Sequence, residues 1–164
     1  MDLHLAGKKV IVTGASKGIG LAIANEFAKE GASVSICARG RDSLESAREL
    51  IAGNGGNIYA DICDVSDKKN LIKYIENAVQ TLGGLNILVN NPSGFGRSDD
   101  EDGWQVGLDV DLMALVRASW TAVPFIEQSG GGAIIHTSSI SGLTSSLRTP
   151  PYGAVKAAVI QYTK

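Results

Sequence analysis

The plainest chemical signal lies late in the chain, in the run Tyr152-Gly153-Ala154-Val155-Lys156. On a helix this spacing puts Tyr152 and Lys156 on one face, one turn apart. A phenol can hand a proton to an oxyanion, but with an ordinary pKa of about 10 it is a poor base in the reverse direction. A neighbouring ammonium group favours the phenolate and brings the exchange nearer neutrality. Alone, such a pair is common and usually structural. Here Ser139 lies thirteen residues before Tyr152, in Ser138-Ser139-Ile140-Ser141-Gly142, directly after an apolar run that reads as a strand. A hydroxyl there can stabilise negative charge growing on a substrate oxygen. The plainer alternative is a turn hydroxyl bonded to its own backbone.

A second candidate site opens the chain. Val10, Ile11 and Val12 form a continuous apolar run, as a strand buried on both faces should. Thr13-Gly14-Ala15-Ser16-Lys17-Gly18-Ile19-Gly20 follows, with glycines at i, i+4 and i+6. Leu21–Ala28 then reads as a helix with Ile19, Ile23 and Phe27 on one stripe. A glycine-rich turn between strand and helix brings backbone N–H groups and a helix N-terminus to a pyrophosphate. Gly14, Ser16, Lys17, Gly18, Ile19 and Gly20 are therefore candidate cofactor contacts; the alternative is a turn that only packs. About twenty residues on, where an acidic side chain would bind ribose hydroxyls, the chain has Ala38-Arg39. Arg39 is a planar cation suited to phosphate, and Lys17 adds another, so NADP(H) is favoured over NAD(H). The alternative for Arg39 is a solvated loop charge.

The elements that must position these residues alternate along the chain. Strands are expected at Ala32–Ala38, Asn57–Ile62, Leu85–Val89 and Ala133–Thr137. Helices are expected at Ser43–Ala52, Lys68–Leu82 and Trp104–Gln128, the last with Pro124 as a kink or near its end. Asp64 or Ser66 would cap the Lys68 helix, with the cap preferred for Ser66. Such alternation implies an α/β fold, a Rossmann-type doubly wound parallel sheet flanked by helices, with ligands beyond the carboxyl ends of the strands.

Composition narrows the class. The 164 residues are 44% hydrophobic and 20% charged, enough for a single domain over 1–164 without linker or repeat. A net charge of −2 and a pI near 5.6 give no basic field for nucleic acid. No apolar run reaches the ~18 residues of a membrane helix, and the N-terminus lacks a signal-peptide core. Cys37 and Cys63 have no metal-ligand spacing, so no metal site is expected; they read as reduced, buried thiols of a cytoplasmic protein.

The Thr-Gly-x-x-x-Gly-x-Gly turn, Asn90-Asn91 at a strand end, Ser139 and Tyr152-x-x-x-Lys156 together resemble the short-chain dehydrogenase/reductase family, including members similar to 3-oxoacyl-acyl-carrier-protein reductases. The resemblance spans the whole chain. It implies an NADP(H)-dependent oxidoreductase that interconverts a carbonyl and a secondary alcohol by hydride transfer. Tyr152 would be the acid/base, Lys156 would tune it and hold the nicotinamide ribose, and Ser139 would bind the substrate oxygen. By the same resemblance Asp64 and Val65 meet the adenine, and Asn90 lies among the cofactor contacts. Gly94–Arg97 and Gly142–Pro151, with apolar Phe95, Leu143, Leu147 and Pro150, would line the opening for a small carbonyl or alcohol substrate. A homodimer or homotetramer would form through the 104–128 and 152–164 helices.

Three departures stand out. Pro92-Ser93 replaces the Ala-Gly usual in the family. Asp111, in Val110-Asp111-Leu112, replaces an asparagine associated with a water path from the lysine; an ionised Asp111 would pair with Lys156 and blunt its effect on Tyr152. Family members also continue past Lys164 with a helix and two strands, so the reading expects a fold truncated after the fifth strand and the start of the next helix, with an exposed apolar sheet edge. A non-catalytic nucleotide-binding module, or an assembly subunit, is the alternative.

Overall fold

The computed structural model describes residues 3–164. Its strands are β1 (Lys9–Thr13), β2 (Ser33–Ala38), β3 (Asn57–Ile62), β4 (Ile87–Asn90) and β5 (Ala133–His136). All pair in parallel, in the order β3-β2-β1-β4-β5. The register sets Thr13 opposite both Cys37 and Asn90, and Asn90 opposite His136, so the strands end level. The chain winds outward from β1 to β3, then returns to β4 on the other side of β1. That reversal opens a crevice at the carboxyl ends.

Helices cover both faces. Helices α1 (Gly18–Lys29) and α2 (Arg41–Gly53) bury Val10, Val12, Val34, Ile36 and Val89. On the other face α3 (Lys68–Leu82) and α5 (Ala114–Gln128) bury Ile11, Leu88, Leu71, Ile75 and Ala118. Side chains of β1 alternate between the two cores, which is why its apolar run is unbroken.

Several boundaries and faces differ from the sequence reading. In α1 the buried stripe is Gly20, Ala24 and Ala28, whereas Ile19 is 65% exposed and Ile23 and Phe27 flank the contact. Small residues let the helix axis lie close to the sheet, and that proximity outweighs the larger side chains one position over. Helix α2 begins at Arg41, two residues early, with Gly40 as its extended N-cap. Strand β4 begins at Ile87, because the Leu85 N–H is taken by Ser129 Oγ at 3.0 Å. Asp67, not Ser66, caps α3: its side chain accepts from Asn70 N at 2.9 Å, while Ser66 Oγ donates to Asp64.

The long helix is not uniform. It starts as α4 (Glu101–Val106), capped by Asp100, and passes through a π-helical segment (Gly107–Met113) before continuing as α5, with Pro124 inside it. A π segment inserts a residue and shifts the phase of the following face, a feature frequent at functional sites. The last helix, α6 (Pro150–Thr163), starts with two prolines in its first turn. No helix among the described residues is long and apolar enough to cross a membrane.

The core beneath β2 holds one polar pair. Ser35 Oγ and Tyr74 Oη share a 2.8 Å hydrogen bond with both residues buried. Burial pushes the Tyr74 phenol well above its ordinary range, so this hydroxyl is structural. Tyr74→Phe leaves Ser35 unpaired and is expected to cost about 1–2 kcal/mol in urea unfolding; adding Ser35→Ala should recover part of that loss.

Candidate active site

The glycine turn is shaped by contact as much as by conformation. Gly14 has φ +66°, and a Cβ there would stand 2.8 Å from Pro92 Cα. A Cβ on Gly20 would stand 2.5 Å from both Asn91 Nδ2 and Gly14 O. Asn91 binds the turn to its neighbours: Nδ2 donates to Gly14 O at 3.0 Å, and Oδ1 accepts from Thr137 Oγ1 at 3.3 Å. Gly18, at φ +59°, faces open space. Lys17 occupies the N-cap of α1 without a side-chain cap bond, so the first-turn N–H groups are not satisfied by the cap residue. Such a terminus fits an anionic group.

Beside this turn lies a cleft of 640 Å³. Its lining includes Gly14, Ser16, Lys17, Arg39, Asp64 and Val65, together with Asn91 through Gly94. Gly20 is buried beneath the turn, and exposed Ile19 stands outside the lining. The asparagine on the cleft wall is Asn91. Asn90, expected as the cofactor contact, instead turns its Nδ2 to His136 Nδ1 at 3.2 Å. Burial pushes the His136 pKa down, which favours the neutral ring an acceptor requires. The period of two along β4 decides which asparagine faces the cleft, and the doublet alone does not reveal it.

Asp64 is held as a carboxylate. Its Oδ1 accepts from Ser66 Oγ at 2.7 Å and from Ser66 N at 3.0 Å. The serine hydroxyl lowers its pKa most; burial opposes it, and the serine amide and the nearby Arg39 charge add to the lowering, so the net shift is below the usual carboxylate value.

The Tyr152 group assembles at the same rim. Ser139 caps a short 3-10 turn (Ile140–Gly142), its Oγ accepting from Ser141 N at 3.1 Å. That is the turn bond anticipated as an alternative, and it leaves the hydroxyl proton free to be donated. Ser138 Oγ donates to Lys156 O at 3.0 Å and fastens α6 to the end of β5. Lys156 Nζ lies 5.6 Å from the centre of the Tyr152 ring, which meets the Phe95 ring edge-on at 4.8 Å.

Lys156 is only 2% exposed, and its charge is met from two sides. Nζ donates to Thr137 O at 3.0 Å. Asp111 Oδ1 lies 3.1 Å from Nζ, a charge contact without hydrogen-bond alignment. Asp111 Oδ2 accepts from Gly94 N at 2.8 Å, and Gly94 also lines the cleft. Gly94 therefore links the cleft to the Asp111–Lys156 pair, while Ser139, Tyr152 and Lys156 lie outside the cleft's lining. Sequence reasoning missed Phe95 as a neighbour of Tyr152, and Thr137 O and Gly94 N as partners. The backbone groups carry no sequence signal.

Known proteins agree with this architecture. The family model described as short chain dehydrogenase matches residues 8–164. The human dehydrogenase/reductase SDR family member 4 is 32% identical over 98% of this chain and 59% of its own length. The 3-oxoacyl-acyl-carrier-protein reductase of Chlamydia pneumoniae is 32% identical over 100% of this chain and 68% of its own. Among solved structures, L-sorbose reductase from Gluconobacter frateurii, complexed with NADPH and L-sorbose, superposes with a TM-score of 0.94 at 35% identity, covering 99% of this chain and 64% of that one. The chain belongs to the short-chain dehydrogenase/reductase family. It spans about three fifths of the length of the first curated relatives it matches, 59% for two of them.

The Asp64 geometry gives a pH test. A carboxyl lowered in the folded state adds stability above its unfolded pKa of about 4, and that contribution is lost as pH falls through the lower folded value. Asp64→Asn should therefore lose less stability than the parent as pH falls below about 4, measured as the urea midpoint across pH.

Proposed function

We propose that this chain carries the cofactor cleft and proton-exchanging group of an NADP(H)-dependent oxidoreductase that interconverts a carbonyl and a secondary alcohol. The observation that supports it most is the link through Gly94, which lines the cleft beside the glycine turn and is bonded to Asp111, which in turn meets Lys156 near the Tyr152 ring. The cleft's lining would hold a nicotinamide cofactor, which when bound would supply the hydride. Tyr152 then gives its phenolic proton to the carbonyl oxygen as that oxygen becomes an alkoxide. The free proton of the Ser139 hydroxyl bonds the same oxygen and stabilises its growing charge. By the family resemblance Lys156, whose Nζ is held by Thr137 O and Asp111, would hold the cofactor's nicotinamide ribose.

Preference for the 2′-phosphorylated cofactor rests on Arg39 and Lys17, which line one end of the cleft with Gly40 and Ser43 and no acidic side chain at the end of β2. Related structures hold either form: L-sorbose reductase was solved with NADPH, and a 7α-hydroxysteroid dehydrogenase, 30% identical, with NADH. Phe95, against the Tyr152 ring, and exposed Leu143 and Leu147 in the segment before α6 suit a partly apolar carbonyl compound. Exposed Trp104, Leu108, Trp120 and Val123, spread over α4, the π segment and α5, fit the expected self-association surface. Buried, unpaired Cys37 and Cys63 fit a reducing compartment such as the cytoplasm.

Fluorescence titration with NADPH and NADH, followed by a carbonyl screen, tests the reading. Arg39→Ala should weaken NADPH binding about 10–100-fold relative to NADH, the worth of a charge-assisted contact. Tyr152→Phe should keep cofactor binding and lose about 10²–10⁴ in turnover. Binding without turnover on any carbonyl would instead favour a nucleotide-binding module, and no binding of either cofactor would overturn both readings.

A further inference from the structure

Asp111 and Lys156 are the buried charged side chains among the described residues. The Asp111 carboxylate spends its two oxygens differently. Oδ1 stands against the Lys156 ammonium at 3.1 Å, and Oδ2 takes the Gly94 N–H at 2.8 Å. Gly94 has no side chain to keep it off the helix: a Cβ there would fall 2.6 Å from Val106 Cγ1 and 3.0 Å from Val110 Cβ. The next residue, Phe95, holds a left-handed backbone at φ +50° and sets its ring edge-on to Tyr152. One carboxylate therefore fixes both the charge near the phenol and the segment that carries its aromatic neighbour.

We infer that Asp111 is a positioning residue that neutralises Lys156 and seats the Phe95 segment, so that Tyr152 is set as a proton donor for carbonyl reduction rather than as a base for alcohol oxidation. This rests on the reading of Tyr152 as the proton-exchanging group. A lone ammonium 5.6 Å from the ring centre would favour the phenolate. With a carboxylate 3.1 Å from it, the pair presents a dipole, and its field at the phenol is much weaker than that of one charge.

The other charged or titratable groups around Tyr152 are less buried. Arg97 lies with Cζ 5.2 Å from the Phe95 ring centre on an exposed side chain. Asp109, on the π segment, is half-buried and accepts from Gln105 Nε2 at 2.7 Å. His136 of β5 is turned to Asn90 and Tyr162. Glu101 and Asp102 on α4, and Arg148 before α6, are exposed. Solvent screens these more than it screens the buried pair.

The test is the ultraviolet phenolate absorbance of the cofactor-free chain against pH, with the Tyr152 share isolated by subtracting Tyr152→Phe in each background. Asp111→Asn removes the charge and keeps an oxygen for Gly94 N. Its Tyr152 phenolate should appear about one pH unit or more below that of the parent. Alcohol oxidation should reach its plateau at a correspondingly lower pH, while reduction at neutral pH falls. An unmoved phenolate in folded Asp111→Asn overturns the inference. If that variant does not fold, Asp111→Asn combined with Lys156→Gln removes both charges. The double variant should form its phenolate at the parent's pH; formation at higher pH would mean that Lys156 acts on Tyr152 unneutralised, and overturns the inference as well. The absorbance needs neither cofactor nor substrate. A shifted phenolate in a chain inactive toward every carbonyl would therefore sink the proposed reaction and leave the charge assignment standing.

Discussion

A carboxylate and an ammonium buried together hold the functional end of this molecule in place. Through Asp111 and Lys156 the π segment meets α6, the rim of β5 joins by Thr137 O, and the segment after β4 joins by Gly94 N. Removing one member of such a pair leaves an uncompensated charge in a poorly solvated place, at a cost of about 3–5 kcal/mol. The pair therefore specifies an arrangement more than it adds net stability. The π segment, which contains Asp111, inserts a residue just where the long helix passes α6.

The second constraint is the glycine turn, and the parallel sheet puts both constraints on one edge. All strands run the same way and end level, so everything after a carboxyl end collects at one rim. Asn91 makes the connection physical by bonding to the turn after β1 and to Thr137 after β5. Lys17 and Arg39 line the cleft at this rim, and Lys156, beneath the Tyr152 ring, bonds to Thr137 O at the same rim. The same parallel-sheet architecture superposes on a relative only 35% identical with a TM-score of 0.94.

Much of this was legible from residue types and spacing. The unbroken apolar run of β1, the amphipathic stripe of α3 and the glycine stop at Gly83, which sits at φ +71° as a C-cap, follow from local rules. The helical spacing of Tyr152 and Lys156 placed both on α6. Other features escaped because they depend on neighbours distant in sequence. The buried stripe of α1 is set by how closely the helix can approach the sheet, which favours Ala24 over Ile23. The cap of α3 fell to Asp67 because Asp64 had already engaged Ser66. The π segment has no periodicity signal of its own. The orientation of Asn90 away from the cleft came from a partner, His136, that lies 46 residues on.

The central claim is that one crevice runs from a phosphate-binding end to Tyr152. A crystal structure of this chain with NADP⁺ tests it most directly. The account predicts the 2′-phosphate between Arg39 and Lys17, the pyrophosphate on the first turn of α1, and the nicotinamide beside Tyr152. A cofactor seated with its nicotinamide away from Tyr152, or lying outside the cleft, would contradict it.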